Sequence, residues 1–109
     1  MLADKYSMIL KKVEYTVKSG KVDEVKQAIS EFVFNIKENE PTVMFYEVFQ
    51  LTGTNSFIHF ISFMDENAER SHQEAEHTKK FMNILNSSCA KKPIFTDLTI
   101  VATNKTRLE

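Results

Sequence analysis

The 109-residue chain has no tryptophan, one cysteine, two glycines, two prolines and a formal net charge of only −1. Each scarcity removes a class of protein. One cysteine, Cys89, forms no disulfide within the chain and completes no Cys-x-x-Cys or Cys/His zinc set. A disulfide-stapled scaffold is thereby excluded, and a reducing, cytoplasmic setting is expected. A near-neutral balance lacks the basic stripe of a general nucleic-acid binder. No apolar run is long enough for a signal peptide or a membrane span, so no membrane partner is expected. No repeat, low-complexity tract or linker divides the chain, so one domain is expected.

What is present is a large supply of apolar side chains. Hydrophobic residues make up 42%, nine of them Phe, which marks a folded globular chain. A domain of this size buries about two-thirds of its unfolded surface, so it is stable without much margin. "MILKKVEYTVK", Met8 to Lys18, alternates, with Ile9, Val13, Tyr15 and Val17 on one side, and reads as a strand. After Ser19-Gly20 the period changes. Val22, Val25, Ala28, Ile29, Phe32, Val33 and Ile36 recur at three and four, which predicts an amphipathic helix closed by Pro41. Asp23 and Glu24 occupy its first turn, where the helix dipole favours anions. "VMFYEVFQL", Val43 to Leu51, and "SFIHFISFM", Ser56 to Met64, read as strands joined by the hairpin-length "TGTN". Asp65 can cap a second helix from Glu66 to Ser88, with an interruption near His77. "IFTDLTIVA", Ile94 to Ala102, is the last predicted strand.

The order β-α-β-β-α-β specifies an α+β, ferredoxin-like fold, an antiparallel sheet with both helices on one face. The domain is expected over residues 8–103, with an N-terminal extension over 1–7 and a tail over 104–109. Leu108-Glu109 in that tail has the look of a tag remnant. The uncovered face of such a sheet should be polar, yet both faces of the middle strands are apolar. Phe57, Ile61 and Phe63 oppose Ile58, Phe60 and Met64. Val43, Phe45, Phe49 and Leu51 oppose Met44, Tyr46 and Val48. That much exposed apolar surface exceeds what monomers tolerate. We therefore expect a two-fold homodimer whose sheets close into a shared β-barrel.

"SHQEAEHTKKF", Ser71 to Phe81, holds two of the three histidines. On an unbroken helix His72 and His77 lie roughly 140° apart, whereas zinc helices of the His-Glu-x-x-His type place two histidines at i and i+4. No metal site is therefore expected. His72 falls on the apolar stripe with Ala68 and Ala75. It reads as a general base in a cleft, or as a core-edge histidine bonded to a backbone carbonyl. His77 lies off the stripe and reads as a cap, a helix break or a contact with the partner chain. His59, mid-strand beside Phe57 and Ile61, needs a polar partner if buried, and lines a pocket or bridges two barrels. Phe63, Phe81 and Met82 could wall an aromatic-accepting pocket, or be plain core. The Lys pairs at 11–12, 79–80 and 91–92 read as solvated surface.

Three segments resemble the antibiotic-biosynthesis-monooxygenase-like family of dimeric α/β-barrel proteins. They are "VKSGKVDEV", "NEPTVMFYEV" and "SFMDENAERSHQEAEHTKKF", within about residues 9–103. In the third, Phe63, Asp65, Ala68, His72, His77 and Phe81 stand at the family's spacing. The resemblance implies two ferredoxin-like chains sharing a barrel, with a ligand pocket between sheet and helices. It places His72 facing that pocket and Tyr46 at a tyrosine common on the second strand. Members include cofactor-independent monooxygenases of quinols and other electron-rich aromatics, haem-degrading enzymes, isomerases and proteins without assigned activity. The absence of tryptophan, with Phe63 where many relatives carry one, disfavours the haem-degrading branch. The expected function is thus a cofactor-free monooxygenase of a small quinol or phenol. Catalysis is assigned to His72, and substrate contacts to Tyr46, His59, Phe63, Phe81 and Met82. The alternatives are a non-catalytic ligand-binding or stress-response dimer, and an isomerase or lyase of a small metabolite.

Overall fold

Four changes of side-chain period along the chain become element boundaries. The structure, a computed structural model, describes residues 8–105. The elements are β1 (Ile9–Thr16), α1 (Val22–Asn39), β2 (Val43–Gln50), β3 (Ser56–Phe63), α2 (Glu66–Glu74), α3 (Glu76–Ser88) and β4 (Ile94–Leu98). The strands form one antiparallel sheet in the order β2-β3-β1-β4. This is the expected ferredoxin-like α+β fold, with its second helix divided in two. The expected extension over 1–7 and the Leu108-Glu109 remnant lie outside the described residues.

The core forms where the 3.6-residue stripe of α1 meets one face of the sheet. Val25, Ala28, Ile29, Phe32 and Ile36 of α1, with Phe81 and Leu85 of α3, bury Val13, Tyr15, Phe57, Ile61 and Phe63. Phe32 stacks on Phe81 with ring centroids 4.4 Å apart and planes within 8°, and so joins the two helices over the sheet. Offset pairs of this kind add about 1 kcal/mol beyond the area they bury. Between β2 and β3, Gly53 takes φ +78°, a left-handed turn conformation that suits glycine.

Two expectations need correction. First, strict alternation does not hold in β2. Val43 pairs with Phe63 and Phe45 with Ser62, so Met44 is one residue too many. This bulge flips the phase. Val43 joins Tyr46 and Val48 against the core, and Phe45 and Phe49 fall on the uncovered face. Second, the last strand stops at Leu98 rather than Ala102. Its partner β1 begins at Ile9, and Leu10 pairs with Leu98, so the ladder runs out. The expected interruption of the second helix near His77 falls at Ala75, whose ψ of 145° is extended.

Asp65 caps α2 as expected, its carboxylate accepting the Ala68 N–H at 2.8 Å. Such a cap is worth about 1 kcal/mol. The break ten residues later has no such local cause. Ala has the highest helix propensity of any residue, and neither Gly nor Pro lies near. Only a tertiary contact can impose it, and that contact is at the functional site.

Candidate active site

Beneath α2 and α3, between helices and sheet, lies a cavity of about 290 Å³. Its walls include Val13, Phe32, Ile61, Phe63, Phe81, Met82 and Leu85, with Tyr46, His59 and His72 as inward polar groups. Gln73 and Phe95, exposed, Lys11 and Glu69, half-buried, and the buried Thr78 complete the lining. The cavity therefore collects His72, Tyr46, His59, Phe63, Phe81 and Met82 in one place. A volume near the low end for ligand pockets suits a molecule of one or two rings.

The break at Ala75 serves a buried carboxylate. Glu40 ends α1, and its side chain meets His72 from the end of α2 and His77 from the first turn of α3. His72 Nδ1 lies 3.1 Å from each carboxylate oxygen, and His77 Nε2 donates to Oε2. A carboxylate only accepts, so both imidazoles donate from these nitrogens. The expected separation of the two histidines assumed an unbroken helix. With the helix broken they converge on one group, although only His72 lines the cavity. Holding the proton on Nδ1 leaves His72 Nε2 as the ring's acceptor. Burial lowers the His72 pKa, against the opposing pull of Glu40, so the ring is held neutral near pH 7.

A second polar chain crosses the core. Tyr15 Oη lies 2.7 Å from His59 Nε2, and Tyr46 Oη lies 2.7 Å from His59 Nδ1. Burial depresses the His59 pKa to about 3, so this imidazole is neutral and carries one proton. Satisfaction of polar groups decides where. Tyr15 is buried, and among the described residues His59 is the partner of its hydroxyl. Tyr46 lines the cavity, where its O–H can meet a ligand, so we assign the Tyr15 O–H as donor to Nε2 and Nδ1–H as donor to Tyr46 Oη. The Tyr46 O–H is then free to donate elsewhere. The Tyr46 and His72 rings stand 6.0 Å apart between centroids, close enough for one ligand oxygen to meet both. Burial raises the Tyr46 pKa well above the ordinary phenol value, so it acts as a donor and not as a base.

Residues 8–84 match the sequence profile of the antibiotic biosynthesis monooxygenase family, ABM. The chain belongs to this family. No curated protein sequence matches it. Among solved structures, a Bacteroides thetaiotaomicron protein named among the antibiotic biosynthesis monooxygenases superposes with a TM-score of 0.85 at 15% identity, over 95% of this chain and 99% of its own. A Caulobacter crescentus protein of the same naming gives 0.81 at 18% identity, over 93% and 96%. A protein from Methanosarcina mazei gives 0.80 at 17% identity, over 91% and 98%. At such identities these likenesses speak for the fold.

Four residues at the site of this ABM chain escape sequence reasoning. Glu40 sits inside a polar "ENE" run, and Phe32 is indistinguishable from the other apolar positions of its helix. Lys11 was read as solvated surface. Instead it lines the cavity, bonded to Glu69 at 2.6 Å and Asp97 at 3.0 Å, and these bonds raise its pKa. Glu69 is the fourth. The signal that could have flagged Lys11 was its parity, since it shares a strand face with Val13 and Tyr15. Among the described residues, no helix is long and apolar enough to cross a membrane.

Proposed function

We propose that this ABM protein is a cofactor-independent monooxygenase of a small quinol or phenolic aromatic. The observation that carries the reading is a neutral imidazole, His72, with Nδ1 tied to Glu40 and its ring lining an apolar cavity sized for one or two rings. His72 Nε2 accepts the proton of a substrate hydroxyl, and the Tyr46 O–H donates to the same or an adjacent oxygen. The resulting oxyanion is electron-rich enough to reduce O₂. A quinol supplies all four electrons: one oxygen atom enters the ring to give a hydroxyquinone, and the other leaves as water. Phe63, Phe81 and Met82 hold the ring and keep bulk water from the intermediate. An isomerase or lyase acting on a polar metabolite needs a free cation in the pocket. Lys11, the cation lining it, is already neutralised by two carboxylates.

The test is an oxygen electrode with a panel of monocyclic and bicyclic quinols. Oxygen uptake should rise in proportion to protein and give hydroxyquinone by mass. Tight binding of the same quinols with no uptake above the buffer rate would instead make this a ligand-binding protein.

The homodimer belongs to the same reading. The uncovered sheet face carries Phe45, Phe49, Ile58, Phe60 and Ile94, with Phe49 50% and Ile94 60% exposed. Packing a second copy there closes the barrel. Light scattering should give twice the 12.6 kDa chain mass. F49E, which places a charge on that face, should shift the mass toward one chain. A wild-type protein of single-chain mass at micromolar concentration would remove the dimer.

A further inference from the structure

The Glu40–His72–His77 cluster offers more than hydrogen bonding. Glu40 carboxylate oxygen, His72 Nδ1 and His77 Nε2 all lie within 4.8 Å of one another. Two imidazole nitrogens and one carboxylate are the donor set of first-row divalent cations such as Zn²⁺ and Co²⁺, and a poor one for Mg²⁺ or Ca²⁺, which prefer all-oxygen shells. We propose that these three side chains form a binding site for a borderline divalent cation, placed behind the cavity wall and shared by α1, α2 and α3.

Two independent observations support this. The helix breaks at Ala75, against its local propensity, and that break is what brings both imidazoles to one carboxylate. An interruption forced by tertiary contacts marks a built cluster, not a chance meeting of surface side chains. The cluster also has an approach from outside. His77 lines a shallow cleft with Glu31, Asn35 and Lys80, on the side of the helices away from the cavity. A cation can enter there, past the Glu31–Lys80 ion pair at 3.5 Å, without passing the substrate. The Phe32 ring, 5.7 Å from His72 and 6.1 Å from His77 between centroids, shields the inner side.

The placement has a chemical consequence, which rests on the monooxygenase reading. A cation on His72 Nδ1 displaces the proton that Glu40 otherwise holds there. The neutral ring must then carry its proton on Nε2, the acceptor assigned to catalysis. Cation binding thus converts the base into a donor. The site acts as an off-switch behind the pocket and takes no part in oxygen chemistry.

The experiment titrates chelator-treated full-length protein with Zn²⁺ and reads imidazole ¹⁵N chemical shifts. The chain has only three histidines, so each ring is assigned separately. One equivalent per chain should move His72 Nδ1 and His77 Nε2 to metal-bound values and place a proton on His72 Nε2, with His59 unmoved. Co²⁺ should give visible absorption bands of matching stoichiometry. E40Q and H77N, chosen because each keeps a hydrogen-bonding side chain, should weaken Zn²⁺ binding by about 100-fold, since even outer-shell losses cost metal sites 10–100-fold. Unmoved His72 and His77 shifts at millimolar Zn²⁺, or undiminished binding in both variants, would overturn the site. The shifts read wild-type protein, so they decide the matter even if a variant fails to fold. They involve no quinol, so loss of the enzymatic reading leaves them standing, and loss of the metal leaves that reading standing.

Discussion

H72A should lower quinol-dependent oxygen uptake by about 10²–10⁴-fold, the usual contribution of a positioned acid or base. Geometry sets the role of His72 before electrostatics does. Glu40 fixes the Nδ1 proton of His72, so Nε2 is left as the acceptor of a ring that lines the cavity. Burial keeps the ring neutral at the working pH. The loss should fall on kcat more than on KM, because the apolar walls that bind the substrate ring are untouched. Truncation also opens space for an imidazole, so added imidazole should restore part of the rate. E40Q keeps the shape but weakens the hold on the tautomer, and should cost less than H72A. Circular dichroism and the dimer mass should match wild type for both. An H72A protein with an unchanged rate would remove His72 from the reaction and leave the cavity as a binding site.

The fold was legible because the two periods in the sequence are clean. The stripe of α1, the alternation in β1 and β3, and Asp65 ahead of Ala68 all follow from local chemistry. The bulge at Met44 was not legible, because an extra residue leaves the composition of a strand unchanged and shows only in its register. The site divides in the same way. His72, Tyr46, His59, Phe63, Phe81 and Met82 were singled out because each is chemically conspicuous or lies on a recognisable stripe. The structure brings all six to one cavity. Glu40 was missed because its partners His72 and His77 lie 32 and 37 residues away, a contact that leaves no local mark. One hidden tertiary contact thus changed the reading that the histidines lie apart, and gave Glu40 a role that no local pattern marks.

Acid should destabilise this protein through His59 in a window set by its own pKa. Folded His59 ionises only near pH 3, against 6.5 for the free side chain. Below 6.5 the unfolded chain takes up a proton that the folded chain refuses, so stability falls as pH drops from about 6.5 to about 3 and His59 adds nothing further below that. The full effect is on the order of 4 kcal/mol, a large share of what holds a domain of this size together. The cause is burial of the ring, with His72 nearby adding to it, and the Tyr15–His59–Tyr46 chain offers the charged form no acceptor. A protonated ring has two donors and no acceptor, so the Tyr15 O–H that donates to Nε2 would have to turn away inside the core, where no other described residue receives it. H59Q isolates the effect. Gln can both donate and accept, keeping much of the chain intact, but it does not titrate. Urea unfolding of both proteins at one fixed concentration, at pH 7, 5 and 4, should show wild type ahead at pH 7 and its lead shrinking with each step. Carboxylate titration affects both proteins alike and cancels in the difference. Two curves that stay parallel over this range would mean that His59 accepts a proton in the folded state without penalty. The burial that holds this ring neutral through the acid range would then be wrong.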